Sequence, residues 1–140
     1  MKKFAVFDID GTLIRWQLYH AVVNELAKQG MLGNNAYEEL KQARLYWKER
    51  KDPNAFKAYE EKLIDIYEQA LTSIAVKDFD QLAEKVTDEY KHQVHVFTRD
   101  LIEDLKSKDY MIFAISGSHT ELIAPIARVF GFDDWSGTVY

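Results

Sequence analysis

Asp8 and Asp10 stand two positions apart behind the apolar run Phe4-Ala5-Val6-Phe7, and Gly11, Thr12 and Leu13 follow at once. Strand side chains alternate in direction, so two carboxylates at this spacing can share one side while Ile9 points away, and Gly11 lets the backbone turn beyond them. Setting two acids beside an apolar strand is costly unless a cation or hydrogen-bond donors meet them. Such a pair has a chemistry of its own. One carboxylate can attack an electrophile such as phosphorus, while the other protonates the leaving oxygen and later activates water. Mg²⁺, hard and oxygen-seeking, is the natural cation to screen charge between the acids and a bound anion.

A second cluster matches the first. The apolar run Tyr110-Met111-Ile112-Phe113-Ala114-Ile115 leads into Ser116-Gly117-Ser118. Small hydroxyls, the N–H of Gly117 and the amino end of a following helix suit the oxygens of a phosphate. Ligands of an open parallel sheet gather at the carboxyl ends of its strands, which would bring Asp8, Asp10, Thr12, Ser116 and Gly117 to one site. Plainer readings stand beside these. An Asp-x-Asp-Gly is often only a turn or a cap, and Ser116-Gly117-Ser118 is a strand-to-helix loop whether or not it holds a ligand.

The elements that must position these groups follow from periodicity. Phe4 to Phe7 reads as a strand buried on both faces, parallel to the Tyr110–Ile115 run. Close to a hundred residues separate the two runs, far more than the roughly twelve a parallel crossover needs. The excess has helical periodicity, with helices predicted over 17–29, 35–50, 52–72 and 78–92. In the third, Phe56, Tyr59, Leu63, Ile66, Tyr67 and Ala70 form one stripe, with Asp52 and Pro53 as cap and first residue; in the fourth, Asp78 caps and Phe79, Leu82, Val86 and Tyr90 share a face. The expected architecture is an α/β core of residues 1–15 and 96–140 carrying an inserted helical domain of residues 16–95. A short helix after Thr98 returns the chain to the second strand. Beyond that strand, Ser118 and Glu121 have capping-box spacing, Pro125 and Gly131 should bend and end the next helix, and a third strand should begin within 132–140.

Composition narrows the choice. A chain of 140 residues that is 47% hydrophobic can bury one core, with or without a small satellite. It has no cysteine, so thiolate zinc sites, disulfides and cysteine nucleophiles are excluded. A net charge of −5 argues against nucleic acid as the partner. No apolar stretch approaches the roughly 20 residues that span a bilayer, and Asp8 and Asp10 interrupt any signal-like run after Met1-Lys2-Lys3, so a cytoplasmic location is expected. His92 and His95 have the spacing of one helical face but no nearby partners and read as surface residues. His119 is either a substrate contact or a first-turn residue, and Arg15, Trp16 and Gln17 are either specificity or hinge residues. Tyr37, Tyr46, Trp47, Phe56 and Tyr59 lack the basic patch a base-stacking surface needs and are assigned to packing of the insert.

Asp8-Ile9-Asp10-Gly11-Thr12-Leu13, followed after a helical insert by an apolar strand ending in Ser116-Gly117-Ser118, resembles the haloacid dehalogenase superfamily of phosphatases. The position of the insert is similar to the branch that includes phosphoserine phosphatases. The resemblance implies a Rossmann-like parallel core, Mg²⁺ dependence, and hydrolysis of a small phosphorylated metabolite through an aspartyl-phosphate. It implies Asp8 as nucleophile, Asp10 as acid and base, the Asp8 carboxylate and Asp10 carbonyl as metal ligands, and Gly11, Thr12, Ser116 and Gly117 around the phosphate. The family also uses a later lysine and a later acidic pair beyond a third strand. The sequence reaches Tyr140 before either, and Asp133-Asp134, directly behind Gly131, belongs to a turn. The expectation is therefore the N-terminal part of such a core, incomplete on its C-terminal side, with an apolar sheet edge open to a second copy as a homodimer. Gln17 stands where phosphoserine phosphatases have a glutamate for the substrate's amino group, which counts against phosphoserine. The alternatives are a binding or interaction module of the same fold without turnover, and a phosphotransferase that passes the phosphoryl group to another hydroxyl.

Overall fold

The two apolar runs that lead into the candidate motifs pair with each other. In the computed structural model, which describes residues 1–33 and 35–140, β1 (Lys3–Asp8) lies parallel to β2 (Tyr110–His119), with Phe7 opposite Ala114 and Asp8 opposite Ile115. β3 (Asp134–Thr138) adds in parallel on the other side of β2, giving a three-stranded sheet of order β1-β2-β3. This is the α/β, Rossmann-like parallel arrangement that the sequence predicts. Among the described residues six helices accompany the sheet: α1 (Leu18–Lys28), α2 (Ala36–Lys48), α3 (Ala55–Leu71), α4 (Val76–Tyr90), α5 (Val96–Ser107) and α6 (Thr120–Val129).

The chain forms two compact units, residues 1–22 with 77–140 and residues 23–76. In the first, α5 and α6 pack on β2 and α6 also reaches β3. Their core is built from Ile9, Leu13, Ile102, Ile112, Leu122 and Ile126, all essentially free of solvent contact. The segment that leaves the sheet and the segment that returns to it are clasped: Arg15 N–H donates to the Gln93 carbonyl (2.8 Å), His95 N–H to the Leu13 carbonyl (2.9 Å), and Arg15 Nε to the Val94 carbonyl (2.9 Å). The excursion between them is thus tied at both ends by backbone pairing. The second unit centres on the α2–α3 hairpin, where Tyr59, Leu63, Ile66, Tyr67 and Ala70 of α3 are buried and Trp47 of α2 stacks on Tyr59 with ring centroids 5.7 Å apart.

Several details differ from the sequence reading. β1 is not buried on both faces: Phe4 is 65% and Val6 49% exposed, and Ile115 on β2 is 57% exposed. Alternation puts these three on one face of the sheet, whereas the opposite face, with Phe7, Ile112 and Ala114, is buried. Helix α4 starts at Val76, so Asp78 sits in its first turn, where it complements the helix dipole instead of capping. In front of α3 the Asp52 carboxylate accepts the Asn54 N–H (2.8 Å) as a cap would, but helical bonding begins at Ala55. Helix α5 starts two residues before Thr98, with His95 as its extended N-cap, and His92 lies in the preceding turn; both histidines are exposed. Helix α6 ends as predicted at Gly131: Gly131 N–H donates to the Arg128 carbonyl, Phe132 N–H to that of Ala127, and Lys106 Nζ caps the Phe130 and Gly131 carbonyls. Among the described residues no helix is long and apolar enough to cross a membrane.

Two isoleucines on β2 test which face is the core. Ile112→Ala should cost about 2–5 kcal/mol because it opens a cavity in packed surroundings, whereas Ile115→Ala should cost about 1 kcal/mol or less. Urea denaturation of the two variants checks this; equal losses would contradict the assignment of faces.

Candidate active site

Directly after β1 the chain folds into a tight turn. Gly11, at φ 77°, donates its N–H to the carbonyls of Ile14 (2.9 Å) and Trp16 (3.2 Å), and the N–H groups of Leu13 and Ile14 return to the Ile9 carbonyl (3.0 Å each). That left-handed φ is open to glycine at little cost, which explains Gly11 at this position. The turn buries Ile9, Leu13 and Ile14 and leaves Asp8 exposed and Asp10 half-buried.

Each acid has its own hydroxyl. Thr12 Oγ1 donates to Asp8 Oδ2 at 2.6 Å. Ser116 Oγ donates to Asp10 Oδ2 at 2.5 Å, and the Leu18 N–H at the start of α1 donates to Asp10 Oδ1 at 2.6 Å. Ser116 is in turn held from behind, since the Ser118 N–H donates to its Oγ at 2.9 Å. A half-buried carboxylate with a donor on each oxygen has its hydrogen-bonding needs met and is fixed in orientation. Gly117 is exposed at the tip of this loop. Asp8, Asp10, Gly11, Thr12, Ser116 and Gly117 therefore cluster at the carboxyl ends of β1 and β2.

The flanking candidates take other places. Gln17 stands just before α1, where its carbonyl accepts the N–H groups of His20 (3.1 Å) and Ala21 (3.3 Å). Arg15 belongs to the clasp with Val94. Asp133 reaches Ile112 instead: its Oδ2 accepts the Ile112 N–H (2.7 Å) and its own N–H donates to the Ile112 carbonyl (2.8 Å), three residues down the strand from Ile115. His119, the residue before α6, is buried, with its ring 4.7 Å from Phe79 and 5.0 Å from Tyr140. Burial lowers its pKa below the usual 6.5, opposed by the Glu121 carboxylate 2.8 Å from Nε2. Glu121 thus pairs with His119 and does not close a capping box with Ser118. The Leu18 donor escaped sequence reasoning because a main-chain N–H leaves no mark in the residue type.

Among the described residues no three histidine or acidic side chains converge as a metal cluster. The donors present nevertheless fit Mg²⁺, which needs only one or two protein oxygens and completes its shell with water and phosphate. The exposed Asp8 carboxylate is such a donor, and Asp10 lies next to it along the turn.

A parallel α/β sheet with paired acids at the end of its first strand and a serine-bearing bulge near the end of its second is the frame of the candidate site. The model of haloacid dehalogenase-like hydrolases matches residues 5–140, nearly the whole chain, and the chain belongs to that family. Its fold is similar to a protein of unknown function from Bordetella pertussis Tohama I, with a TM-score of 0.72 at 18% identity over 99% of this chain and 61% of that one. It is also similar to a phosphoserine phosphohydrolase-like protein from Francisella tularensis subsp. tularensis SCHU S4, with a TM-score of 0.56 at 20% identity over 98% of this chain and 58% of that one. A substrate-bound phosphoserine phosphatase gives a TM-score of 0.57 at 19% identity over 98% of this chain and 56% of that one. The chain thus spans less than two thirds of the length of these solved structures. No curated protein matches it.

The lowered pKa of His119 makes a stability prediction. In the window between the lowered folded value and about 6.5 the unfolded chain binds more protons, so stability rises with pH there. The native state should weaken as pH falls below about 6.5 and the drop should level off once the folded value is passed. Urea midpoints at several pH values for the parent chain and His119→Gln test this: the variant should lose part of the drop. An unchanged profile would contradict a neutral, buried His119.

Proposed function

We propose that the site performs phosphomonoester hydrolysis on a small phosphorylated metabolite, with Asp8 as nucleophile and Asp10 as acid and base. The observation that carries this reading is the division of labour between the acids: Asp8 is exposed and held by one hydroxyl, Asp10 is half-buried and held on both oxygens. With Thr12 on Oδ2, Asp8 Oδ1 would attack phosphorus, forming an aspartyl-phosphate as the bond to the leaving oxygen breaks. Asp10, entering that step protonated, would give its proton to the leaving oxygen. It would then take one from the water that attacks the phosphoryl group, releasing inorganic phosphate and restoring both acids. A serine hydroxyl can donate or accept, so Ser116 can follow Asp10 through this proton cycle by rotating. Mg²⁺ bound to the Asp8 carboxylate and the Asp10 main-chain carbonyl would screen the repulsion between Asp8 and the phosphate. The Gly117 N–H and the amino end of α6 would take the phosphate's outer oxygens, and residues 16–95 would serve as the cap that chooses the substrate. Gln17 argues for a substrate other than phosphoserine.

Hydrolysis of a chromogenic phosphomonoester by the chain, with Mg²⁺ and with chelator, tests the reading. Turnover should need the metal, Asp8→Asn should abolish it, and Asp10→Asn should lower it about 10²–10⁴-fold, the usual share of acid–base catalysis. An Asp8→Asn variant as active as the parent would overturn Asp8 as nucleophile. No turnover by the parent with any divalent cation would leave the binding-module reading in its place.

A further inference from the structure

We infer that Gly137 and Thr138 on β3 are positioning residues for the Ser116-Gly117-Ser118 loop, an inference that rests on the reading of this loop as the phosphate cradle. The sheet register leads to them. Ile115 pairs with Ser136 and His119 with Thr138, so three residues of β2, Ser116 to Ser118, stand opposite the single residue Gly137. The loop is therefore a bulge in the β2–β3 ladder, a device that re-aims side chains and leaves backbone groups without ladder partners. Here it carries the Ser116 hydroxyl to Asp10.

Two features of β3 hold the bulge in shape. Thr138 Oγ1 donates to the Gly117 carbonyl at 2.7 Å, and the Thr138 carbonyl accepts from Thr120 Oγ1 at 3.2 Å, so Thr138 grips the loop on one side and the first residue of α6 on the other. Gly137 supplies room. A Cβ at this position would stand 2.6 Å from the Ser118 carbonyl oxygen and 2.9 Å from the Thr120 Cα, closer than real Cβ atoms come to backbone. The loop backbone lies directly against the bare Cα of residue 137. Any side chain there must push Ser118 and Thr120 away, taking the Ser116 hydroxyl off Asp10 and the amino end of α6 off the cradle. The Thr138 bond lies at the exposed rim, where one neutral hydrogen bond adds little to global stability, so its effect falls on the geometry of the loop.

The test uses the 140-residue chain with Thr138→Val, which removes the donor at constant shape, Thr138→Ser, which keeps it, and Gly137→Ala. Two readouts are taken: amide hydrogen exchange of Ser118, whose N–H is bonded inside the loop, and binding of inorganic phosphate with Mg²⁺ by calorimetry. Thr138→Val should speed Ser118 exchange and weaken phosphate binding about five- to tenfold each, the scale of one hydrogen bond. Its melting temperature should stay near that of the parent. Thr138→Ser should restore both readouts, and Gly137→Ala should exceed Thr138→Val in both. Unchanged exchange in Thr138→Val would overturn the brace. Faster exchange with parental phosphate affinity would overturn its functional role. A parent chain that binds no phosphate would sink the phosphate-cradle reading and the role built on it, while Ser118 exchange would still decide whether Thr138 holds the loop.

Discussion

The Asp10 carboxylate is the joint on which the site depends. It sits one residue beyond the buried Ile9, receives the first N–H of α1 on one oxygen and the Ser116 hydroxyl on the other, and so links the exit of β1, the start of the helical excursion and the bulge near the end of β2. A half-buried carboxylate must find such donors or destabilise the fold. Satisfying it fixes three segments that the chain separates by as many as 106 residues. Asp8, one strand position before Ile9, carries no such duty and stays open to solvent with a single threonine beside it. The same turn thus ties Asp10 into three segments and leaves Asp8 open to solvent.

The grouping of the candidate residues and the position of the core were legible for related reasons. Apolar runs that lead into Asp-Ile-Asp-Gly-Thr and into Ser-Gly-Ser read as strands with polar ends. Pairing them in parallel brings both edges together, and the structure does so with Asp8 opposite Ile115. The helix stripes were equally plain: Tyr59, Leu63, Ile66, Tyr67 and Ala70 on α3, and Phe79, Leu82 and Val86 on α4, are buried as their spacing requires. Gly131 marked the end of α6 because its left-handed φ of 65° is the usual way to close a helix.

What escaped the sequence depends on register and on tertiary partners. Ser118 and Glu121 have the spacing of a capping box, yet the bulge turns the Ser118 N–H to Ser116 Oγ and burial of His119 draws Glu121 away. Asp78 has the residue type of a cap, but α4 takes in two further residues at its start and makes Asp78 a first-turn acid. Phe4, Val6 and Ile115 are apolar enough to read as core, and burial on a sheet is decided by what packs on each face, which residue type does not encode. Gly137 and Thr138 carried no signal at all, because their importance lies in what faces them across the ladder.

The central claim is that Asp8 and Asp10 have different tasks, with Asp8 forming the bond to phosphorus. It is tested most directly by incubating the chain with a reactive acyl phosphate and Mg²⁺, quenching with borohydride, and mapping the product by mass spectrometry. Reduction of an aspartyl-phosphate turns that aspartate into homoserine. Homoserine at position 8 and aspartate at position 10 is the predicted result; homoserine at position 10, or unmodified aspartate at both, would contradict the account.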